Sequence, residues 1–389
     1  MVKENLYLHG HSFKINMEKI PIGKPEFTGN ELKYITDCIN TGWISSAGSY
    51  VPEFEKAIAS FHGMKHGIAT SSGTTALHLA LASIDIKEGD EVLIPDITFI
   101  ATANAVRYCK ALPKLIDVNP DDWNIDIEAL ESAINKNTKA IIAVHIYGNP
   151  ARMKEIMKIS EKYNLAVIED CAESFGAEID NKKTGSFGLI NCFSFFANKI
   201  ITTGEGGMCI TNDDVIAERI RILRDHGMDR KKKYWHSVTG FNYRMTNLQA
   251  AIGIAQFEQY GQFNKSRDII IREYRSLLKN YPFVKFQETN SNKNADWLFT
   301  ILIPGIDKAI RDKIIDDLLV NGIESRPFFY PLHSMPPFSD KVYHASVFSV
   351  SEKLSNEGIS LPTFTAMRKE QIKYTCDCLV NSIARLRNQ

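Results

Sequence analysis

Short apolar runs alternate with helical patterns along residues 64–211. The runs predict β-strands at 67–70, 91–94, 114–118, 140–145, 165–170, 191–195 and 208–211. Apolar residues at helical spacing predict helices at 75–82, 101–109, 127–135 and 151–163. Runs such as AIIAV and LAVIE are apolar at successive positions, as expected of strands buried on both faces. The alternation therefore predicts an α/β domain with a mainly parallel sheet that helices cover on both sides.

The pattern changes in the C-terminal part of the chain. Long amphipathic helices are predicted at 248–260 and 266–279, followed by a strand pattern at 296–303 and a proline-rich stretch at 327–337. These elements favour a smaller C-terminal α+β unit. We expect a flexible N-terminal extension at 1–18, a large domain at 19–257 and a small domain at 258–389.

The composition of the 389 residues is that of a globular protein, with 44% hydrophobic and 24% charged residues. Lys+Arg and Asp+Glu both number 46, which argues against binding of nucleic acid or anionic membranes through bulk charge. No apolar run reaches the roughly 20 residues that span a bilayer, and the first residues lack the apolar core of a signal peptide. The seven cysteines include no CxxC pair and are typical of reduced thiols. We therefore expect a cytoplasmic protein.

A single lysine, Lys199, lies between an apolar strand pattern and a glycine-rich turn in SFFANKIITTGEGG (194–207). Burial among aromatic and aliphatic neighbours disfavours the ammonium form and leaves a usable amine. Schiff-base chemistry requires such an amine. A surface lysine before a loop fits this segment equally well, so the segment alone leaves both interpretations open.

Asp170 ends the apolar strand pattern of VIEDCAESFGA (167–177). Ligands of parallel sheets bind beyond the carboxyl ends of the strands, so this carboxylate is expected to face a ligand. A carboxylate that pairs with a pyridinium nitrogen keeps the ring protonated and makes it an electron sink. The alternative role of Asp170 is that of a helix N-cap.

The segment ATSSGTTALHLAL (69–81) leads from a short strand through Ser72 and Gly73 into a helix. Free N–H groups at such a helix start, with the hydroxyls of Ser72, Thr74 and Thr75, suit a phosphate dianion. Serine and threonine are also ordinary N-caps, so this signal is weak by itself. The chain contains no GxGxxG after a strand, no GxxxxGK[ST] and no HExxH, and we expect no metal site.

Together these segments resemble the DegT/DnrJ/StrS family of sugar aminotransferases. The resemblance covers the chain from Ile20 onward and rests on SSGTTALHLAL, PDITFIATANAV, VIEDCAESFGA, SFFANKIITTGEGG and FNYRMTNLQAAIG. It implies the aspartate-aminotransferase-like fold (fold type I), with a large domain around a mainly parallel mixed sheet and a smaller C-terminal α+β domain. It also implies pyridoxal 5′-phosphate as the cofactor, bound to Lys199 as an internal aldimine, with Asp170 as the partner of the pyridine nitrogen.

The resemblance also assigns the other cofactor contacts by position. These are Gly73, Thr74, Thr75 and Ser194 for the phosphate, Phe99 for stacking on the pyridine ring, and Glu173 near the phenolic oxygen. Without the resemblance, plain core packing is the favoured role of Phe99. A carboxylate beside a phenolate is repelled unless one of the two holds a proton, so the protonation state of Glu173 is open.

Contacts with a second subunit and with the substrate are implied as well. Asn242 is expected to reach the cofactor phosphate of a second subunit, which implies a homodimer with shared active sites. The candidate substrate contacts are Lys231, Trp235, His236, Arg326 and His333. A run of cations such as the one around Lys231 is more often a solvated face.

The resemblance implies a ping-pong transaminase that takes nitrogen from L-glutamate and delivers it to C4 of a nucleotide-linked 4-keto-6-deoxyhexose. The expected reaction converts GDP-4-keto-6-deoxy-D-mannose to GDP-perosamine, on the basis of TGWISSAGSYVPEFE, KYWHSVTGFNYRMTN and RPFFYPLHSMP. The alternative acceptor is a dTDP- or UDP-4-keto-6-deoxyglucose, which gives a viosamine-type product. A cofactor-dependent sugar 3-dehydratase is less favoured, because such enzymes carry histidine at the position of Lys199. A non-enzymatic regulator that only binds the cofactor would need no free amine.

Overall fold

The computed structural model describes residues 19–289, 293–345 and 347–387, so the predicted extension at 1–18 lies outside the described residues. The larger sheet has the strand order β1-β9-β8-β5-β4-β2-β3. Its strands are β1 (His66–Thr70), β2 (Glu91–Pro95), β3 (Leu112–Ile116), β4 (Thr138–Val144), β5 (Ala166–Asp170), β8 (Ile190–Ser194) and β9 (Gly207–Thr211). The short strands β6 (Glu178–Ile179) and β7 (Lys182–Lys183) form a separate hairpin. In the larger sheet β9 is antiparallel to β1 and β8, while the other neighbours pair in parallel, which confirms the predicted mainly parallel mixed sheet.

The strands of this sheet are apolar on both faces because helices cover both. Val92 and Ile94 of β2 pack in one cluster with residues of the helices after β1 and β2, whereas Leu93 packs in another cluster on the opposite face. β4 alternates in the same way, with Ile142 on the first face and Ile141 on the second. This alternation explains the continuous apolar runs in the sequence.

The helices lie between and after these strands, and none in the described ranges has the length and apolar content that crossing a membrane requires. In chain order they begin with α1 (Glu31–Thr41), α2 (Tyr50–Phe61), α3 (Gly73–Ser83), α4 (Ala101–Tyr108), α5 (Ile127–Ser132), α6 (Met153–Tyr163) and α7 (Asp214–Arg224). They are followed by α8 (Asn247–Glu258), α9 (Tyr260–Leu278), α10 (Lys308–Val320), α11 (Ser349–Glu357) and α12 (Lys369–Arg387).

A second, smaller sheet forms in the C-terminal part. Its strands β10 (Lys285–Phe286), β11 (Phe299–Leu302), β12 (Arg326–Pro327) and β13 (Gly358–Leu361) are antiparallel in the order β10-β11-β13-β12. Apolar residues of β11 and β13 share one core cluster with α9, α10 and α12. The predicted division of the chain at residue 257 falls within α8 and stays a prediction.

The carboxyl ends of three strands meet at one edge of the larger sheet. β5 and β8 are parallel, and β1 points the same way as β8 because both are antiparallel to β9. Gly207, at the start of β9, pairs with Ser194 on one side and with Thr70 on the other. The end of β8 and the start of α3, which follows β1, are therefore neighbours across a single strand.

Candidate active site

The N-terminus of α3 presents free backbone donors at this edge. Ser72 caps the helix from an extended backbone conformation (φ −165°, ψ 167°), and its Oγ accepts the N–H of Thr75 at 3.2 Å. In return, the Thr75 hydroxyl oxygen accepts the N–H of Ser72 at 3.0 Å. The first N–H groups of a helix have no acceptor within it, so those of Gly73 and Thr74 point out of the helix end. The hydroxyl of Thr75 is used in the cap.

Two glycines let the end of β8 approach this helix end. A Cβ at Gly73 would lie 2.8 Å from the Cβ of Ser194, and a Cβ at Gly207 would lie 2.3 Å from the carbonyl oxygen of Ser72. Side chains at either position would displace the backbone or Ser194. Because glycine has no side chain, Gly73 and Gly207 leave a concave space between α3 and β8, which we call the cradle. In it, helix N–H groups and the Ser194 hydroxyl can bind an anion.

Asp170 ends β5 with a buried carboxylate. Its Oδ2 accepts the hydroxyl proton of Thr102 at 2.8 Å, and its Oδ1 accepts the N–H of Ala172 at 3.1 Å. Burial raises the pKa of this carboxyl, while the two hydrogen bonds and the charge of Lys199 act in the opposite direction. A desolvated carboxylate held in a fixed orientation is suited to a cationic partner.

Lys199 lies between Glu173 and an aromatic ring, with its side chain 12% exposed. Its Nζ is 4.0 Å from Oε1 of Glu173 and 3.6 Å from the ring centroid of Trp297. Burial lowers the pKa of this amine, whereas the charges of Glu173 and Asp170 raise it. The structure thus favours the buried amine over a surface lysine.

Glu173 is a buried carboxyl whose proton affinity is unusually high. Its Oε2 accepts the N–H of Tyr147 at 2.7 Å. Burial raises its pKa to about 7, against the opposing effects of Lys199 and of the Tyr147 hydrogen bond. Glu173, whose Oε1 is 4.0 Å from Nζ of Lys199, therefore changes its protonation state near neutral pH.

Two further predicted residues lie near this cleft. Phe99 follows β2 at the same edge of the sheet, and its ring is 58% exposed and 6.3 Å from that of Phe329. The charge of Arg326, in β12, acts to lower the pKa of Lys199. Arg326 also lies 3.7 Å from Glu324.

His333 is engaged by other side chains. Its Nδ1 is 2.7 Å from Asp96 and its Nε2 is 3.3 Å from Glu352. Its ring stacks on Phe348 with centroids 4.4 Å apart. The hydrogen bond with Asp96 raises the pKa of His333. A substrate contact of His333 would have to replace Glu352, so that assignment stays a prediction.

The segment around Lys231 makes its contacts locally. Lys232 lies 4.0 Å above the ring of Trp235, and His236 Nδ1 is 2.9 Å from the carbonyl oxygen of His226. Asn242 is exposed, and its Oδ1 accepts a hydrogen bond from Arg244 at 3.1 Å. The expected roles of Lys231, Trp235, His236 and Asn242 stay predictions, because they concern a substrate or a second chain.

Three residues that contact the site were not predicted from the sequence. They are Thr102, which hydrogen-bonds Asp170, Tyr147, which hydrogen-bonds Glu173, and Trp297, which contacts Lys199. Thr102 lies in the PDITFIATANAV segment, so that motif could have suggested it. Nothing in the sequence marks Tyr147, whose left-handed backbone (φ 53°, ψ 19°) is rare for a residue other than glycine.

Glu169, the residue before Asp170, belongs to a buried hydrogen-bond network. His145, Glu169 and Cys171 place their possible ligand atoms within 4.8 Å of one another. Glu169 accepts hydrogen bonds from His145 at 3.0 Å and from the N–H groups of Gly185, Phe187 and Gly188 at 2.6–2.8 Å. His145 Nδ1 accepts the N–H of Ala151, so Nε2 carries the proton that Glu169 accepts. The carboxylate of Glu169 and the Nδ1 atom of His145 therefore accept hydrogen bonds from within the protein, and we assign the cluster a structural role.

Glu169→Gln is expected to lower the free energy of unfolding by about 3 kcal/mol, since an amide group would face the same donors in a buried position. Burial acts to raise the pKa of Glu169, but hydrogen bonds from His145, Gly188 and Gly185 outweigh it, so the pKa is lowered. A lowered folded-state pKa gives stability above the unfolded-state value of about 4.3 that is lost as the pH falls further. Urea denaturation at pH 7 and across pH 3–6 measures both effects.

The matched control for this prediction is Glu161→Gln, an exposed glutamate of α6. It should change the free energy of unfolding by no more than about 0.5 kcal/mol. A loss below about 1 kcal/mol for Glu169→Gln, or an unchanged pH dependence, would contradict the structural role of the network.

The cradle, Asp170 and Lys199 together fit one type of ligand, an aromatic aldehyde with a phosphate and a ring nitrogen. The space left by Gly73 beside Ser194 suits the phosphate, and the carboxylate of Asp170 suits a protonated ring nitrogen. The desolvated amine of Lys199 suits the aldehyde carbon. Pyridoxal 5′-phosphate has all three groups.

Comparisons with known proteins agree with this fit. The model of the DegT/DnrJ/EryC1/StrS aminotransferase family matches residues 25–380. GDP-perosamine synthase of Caulobacter vibrioides is 43% identical over 359 residues, which are 92% of this chain and 96% of that protein. GDP-perosamine synthase of Vibrio cholerae is 40% identical over 362 residues, 93% of this chain and 98% of that protein.

A solved structure extends the likeness to three dimensions. The crystal structure of a DegT/DnrJ/EryC1/StrS aminotransferase from Brucella abortus superposes with a TM-score of 0.85 at 30% identity. The match covers 90% of this chain and 95% of that one. The residues matched by the family include the cradle, Asp170 and Lys199. The chain therefore belongs to the DegT/DnrJ/EryC1/StrS family and is a pyridoxal-phosphate-dependent aminotransferase.

Proposed function

We propose that this enzyme transfers the amino group of L-glutamate to C4 of GDP-4-keto-6-deoxy-D-mannose and produces GDP-perosamine. The observation that carries the amino transfer is the buried amine of Lys199, which lies in one cleft with Asp170 and Glu173. The choice of acceptor is supported by the two relatives named GDP-perosamine synthase, at 43% and 40% identity over more than nine-tenths of this chain.

Bound pyridoxal phosphate supplies an electron sink for the negative charge that develops at the substrate carbon. The enzyme's own part begins with Lys199, whose Nζ would hold the cofactor at its aldehyde carbon and, once free and neutral, would take a proton from the substrate carbon. The same nitrogen can return that proton as a general acid. Burial, which lowers the pKa of this amine, raises the fraction of the neutral base.

The carboxyl groups hold protons at two other positions. We propose that Asp170 keeps a proton on the ring nitrogen, with its orientation fixed by Thr102 and Ala172. Glu173 would face the phenolic oxygen, and its pKa of about 7 allows it to hold a proton there at neutral pH. That proton would remove the repulsion expected between a carboxylate and a phenolate.

The remaining contacts orient the ligand. The N–H groups of Gly73 and Thr74 and the hydroxyl of Ser194 would bind the phosphate, while Thr75 supports them through the helix cap. Phe99, exposed at the cleft, would stack on the pyridine ring. Lys231, Trp235, His236, Arg326 and His333 remain proposed substrate contacts.

The test of the amino transfer is the half-reaction with glutamate. Addition of L-glutamate to the pyridoxal-phosphate-loaded enzyme should bleach its visible absorbance and release 2-oxoglutarate. An unchanged spectrum would favour a protein that only binds the cofactor. The aminated enzyme should then be mixed with GDP-, dTDP- and UDP-4-keto-6-deoxy sugars.

The acceptor is identified by which sugar restores the absorbance. Return of absorbance with the GDP sugar alone supports the proposed reaction. A faster reaction with the dTDP or UDP sugar would make the product of the viosamine type. Loss of the 3-hydroxyl from the sugar, read by mass spectrometry, would identify a 3-dehydratase.

We further propose a homodimer in which Asn242 of each chain reaches the cofactor phosphate of the other. Asn242 is exposed and lies four positions before Thr246, the N-cap of α8, with its Oδ1 accepting a hydrogen bond from Arg244. A two-fold interface uses the same patch on both subunits, so both sites are completed or lost together.

Mixed dimers test the shared site. Lys199→Ala removes the amine, and Asn242→Asp places a carboxylate against the partner's phosphate, so each variant alone should be inactive. Subunit exchange between them should restore about a quarter of the wild-type sites, because half of the dimers are mixed and each has one intact site. Steady-state activity after exchange, with mass spectrometry of the mixed dimer as control, measures this. Confirmed exchange without activity would contradict the shared site.

A further inference from the structure

The amine of Lys199 lies against the face of a tryptophan from the C-terminal part of the chain. Lys199 Nζ is 3.6 Å from the centroid of the Trp297 indole, closer than the 4.0 Å to Glu173. A cation over an aromatic face is attracted by the negative face of the ring, and most strongly when water is excluded. The chemistry proposed above does not use this ring.

The indole is held in place by three contacts. Its Nε1–H donates to the carbonyl oxygen of Asn198, the residue before Lys199, at 2.8 Å. Its ring stacks on Tyr147 with centroids 6.1 Å apart and planes at 13°. Its backbone carbonyl accepts a hydrogen bond from the buried Arg267. Because Trp297 is only 5% exposed and is fixed on several sides, it cannot follow the lysine and instead imposes a position on the amine.

The backbone at Trp297 is paired with the loop after β4. The N–H of Trp297 donates to the carbonyl of Tyr147 at 3.2 Å, and the N–H of Ala295 donates to the carbonyl of Gly148 at 3.0 Å. Gly148 has φ +93°, and a Cβ there would lie 2.6 Å from the backbone nitrogen of Asp296. A glycine is therefore needed for this approach. The same loop donates to Glu173, so one loop orders both neighbours of the amine.

We propose that Trp297 is a positioning residue for Lys199, whose indole face holds the free amine in the cleft and favours its protonated form. The proposal rests on the proposed role of Lys199 as the amine that moves the substrate proton. A general acid must keep its proton until delivery. An amine held on the ring face stays in the cleft between its tasks as base and as acid.

Several charged groups also act on this amine. Burial lowers the pKa of Lys199, Glu173 and Asp170 raise it, and Arg326 lowers it. These groups belong to β5, the segment after it, and β12. Trp297 attracts the ammonium group although the indole is uncharged. Its contribution to the pKa of Lys199 can therefore be separated from those of the charged groups by changing the ring alone.

The experiment compares Trp297→Phe with Trp297→Leu in the full-length, cofactor-free protein. Both variants lose the indole N–H and both leave some space, so their difference isolates the aromatic face. Lys199 is acylated with limiting acetic anhydride across a range of pH, and its labelling is read by peptide mass spectrometry. The exposed Lys182 in the same protein serves as the internal standard.

The titration midpoint of Lys199 should be lower in Trp297→Leu than in Trp297→Phe by about 0.7 pH unit, the shift that ~1 kcal/mol of cation–π attraction produces. If the ring had only a structural role, the two substitutions would change the free energy of unfolding but would leave the Lys199 midpoints equal. Equal midpoints, or a higher midpoint in Trp297→Leu, would overturn the proposal.

A second measurement applies even where these variants fail to fold. Wild-type protein in which all tryptophans carry increasing numbers of fluorine atoms keeps its shape while the negative face of each ring weakens. The Lys199 midpoint should fall stepwise with each fluorine, and a constant midpoint would contradict the proposal. Borohydride reduction of the cofactor-loaded protein attaches the cofactor permanently to the lysine that binds it. This tests the role of Lys199 independently of the role of Trp297. Label on another lysine would refute the role of Lys199, whatever the midpoints show about Trp297.

Discussion

Lys199→Ala will reduce transamination by several orders of magnitude, while the protein stays folded and still binds pyridoxal phosphate. One amine is proposed to be both the covalent attachment point and the carrier of the substrate proton, so its removal eliminates two functions at once. The phosphate cradle and Asp170 are untouched by the change. Steady-state production of the amino sugar, followed chromatographically, measures the loss.

The control for this variant is Lys182→Ala, which removes an exposed lysine of β7. Its rate should equal that of the wild type. Circular dichroism and a denaturation curve should show that Lys199→Ala retains its fold, since the buried Glu173, whose pKa is already about 7, can take up a proton once the neighbouring cation is lost. Turnover of Lys199→Ala above the rate of free pyridoxal phosphate would show that another residue carries the chemistry.

Asp170→Asn will lower kcat by at least tenfold, which corresponds to about 1.4 kcal/mol of activation free energy. A neutral amide cannot hold a proton on the ring nitrogen, so the electron sink is weakened. The amide must also turn its NH₂ group toward either Thr102 or Ala172, both of which donate to the carboxylate. Steady-state kinetics at saturating glutamate and sugar measure the effect.

Asp213→Asn provides the comparison for Asp170→Asn. Asp213 caps α7 by accepting the N–H groups of Val215 and Ile216, and asparagine is an equally good N-cap. This variant should keep the wild-type kcat. If Asp170→Asn also kept more than a tenth of the wild-type rate, Asp170 would have the structural role that its position at a strand end equally allows.

The strands of the larger sheet could be predicted because parallel strands buried on both faces are apolar at every position. All seven predicted strands occur, shifted by no more than two residues at either end. The helices are less clearly marked in the sequence. α1 buries only Glu31 and Cys38, so no apolar stripe marks its inner face. α9 begins at Tyr260 rather than at 266, because Tyr260 and Phe263 extend its buried face past Gly261.

The central residues of the site could be predicted from chemistry carried by short segments. Asp170 ends β5, Gly73 begins α3, and Lys199 lies in the turn between β8 and β9, so the local sequence indicates both the position and the reactive group. Their neighbours could not be predicted in this way. Trp297 is 99 positions from Asn198, to which it donates, and its role depends on how two distant segments pack. Tyr147 adopts its left-handed backbone because that packing holds it there.

The pairing of Trp297 with the loop after β4 has a consequence for biosynthesis of the chain. When residue 199 first emerges from the ribosome, Trp297 has not yet been synthesised, so one wall of the amine's surroundings is missing. Contacts between positions so far apart form only after loop closure over the intervening residues. Until the Trp297 segment packs against it, the lysine therefore stays hydrated and is not held at one position in the cleft. The surroundings of the amine are completed only after residue 297 has been synthesised.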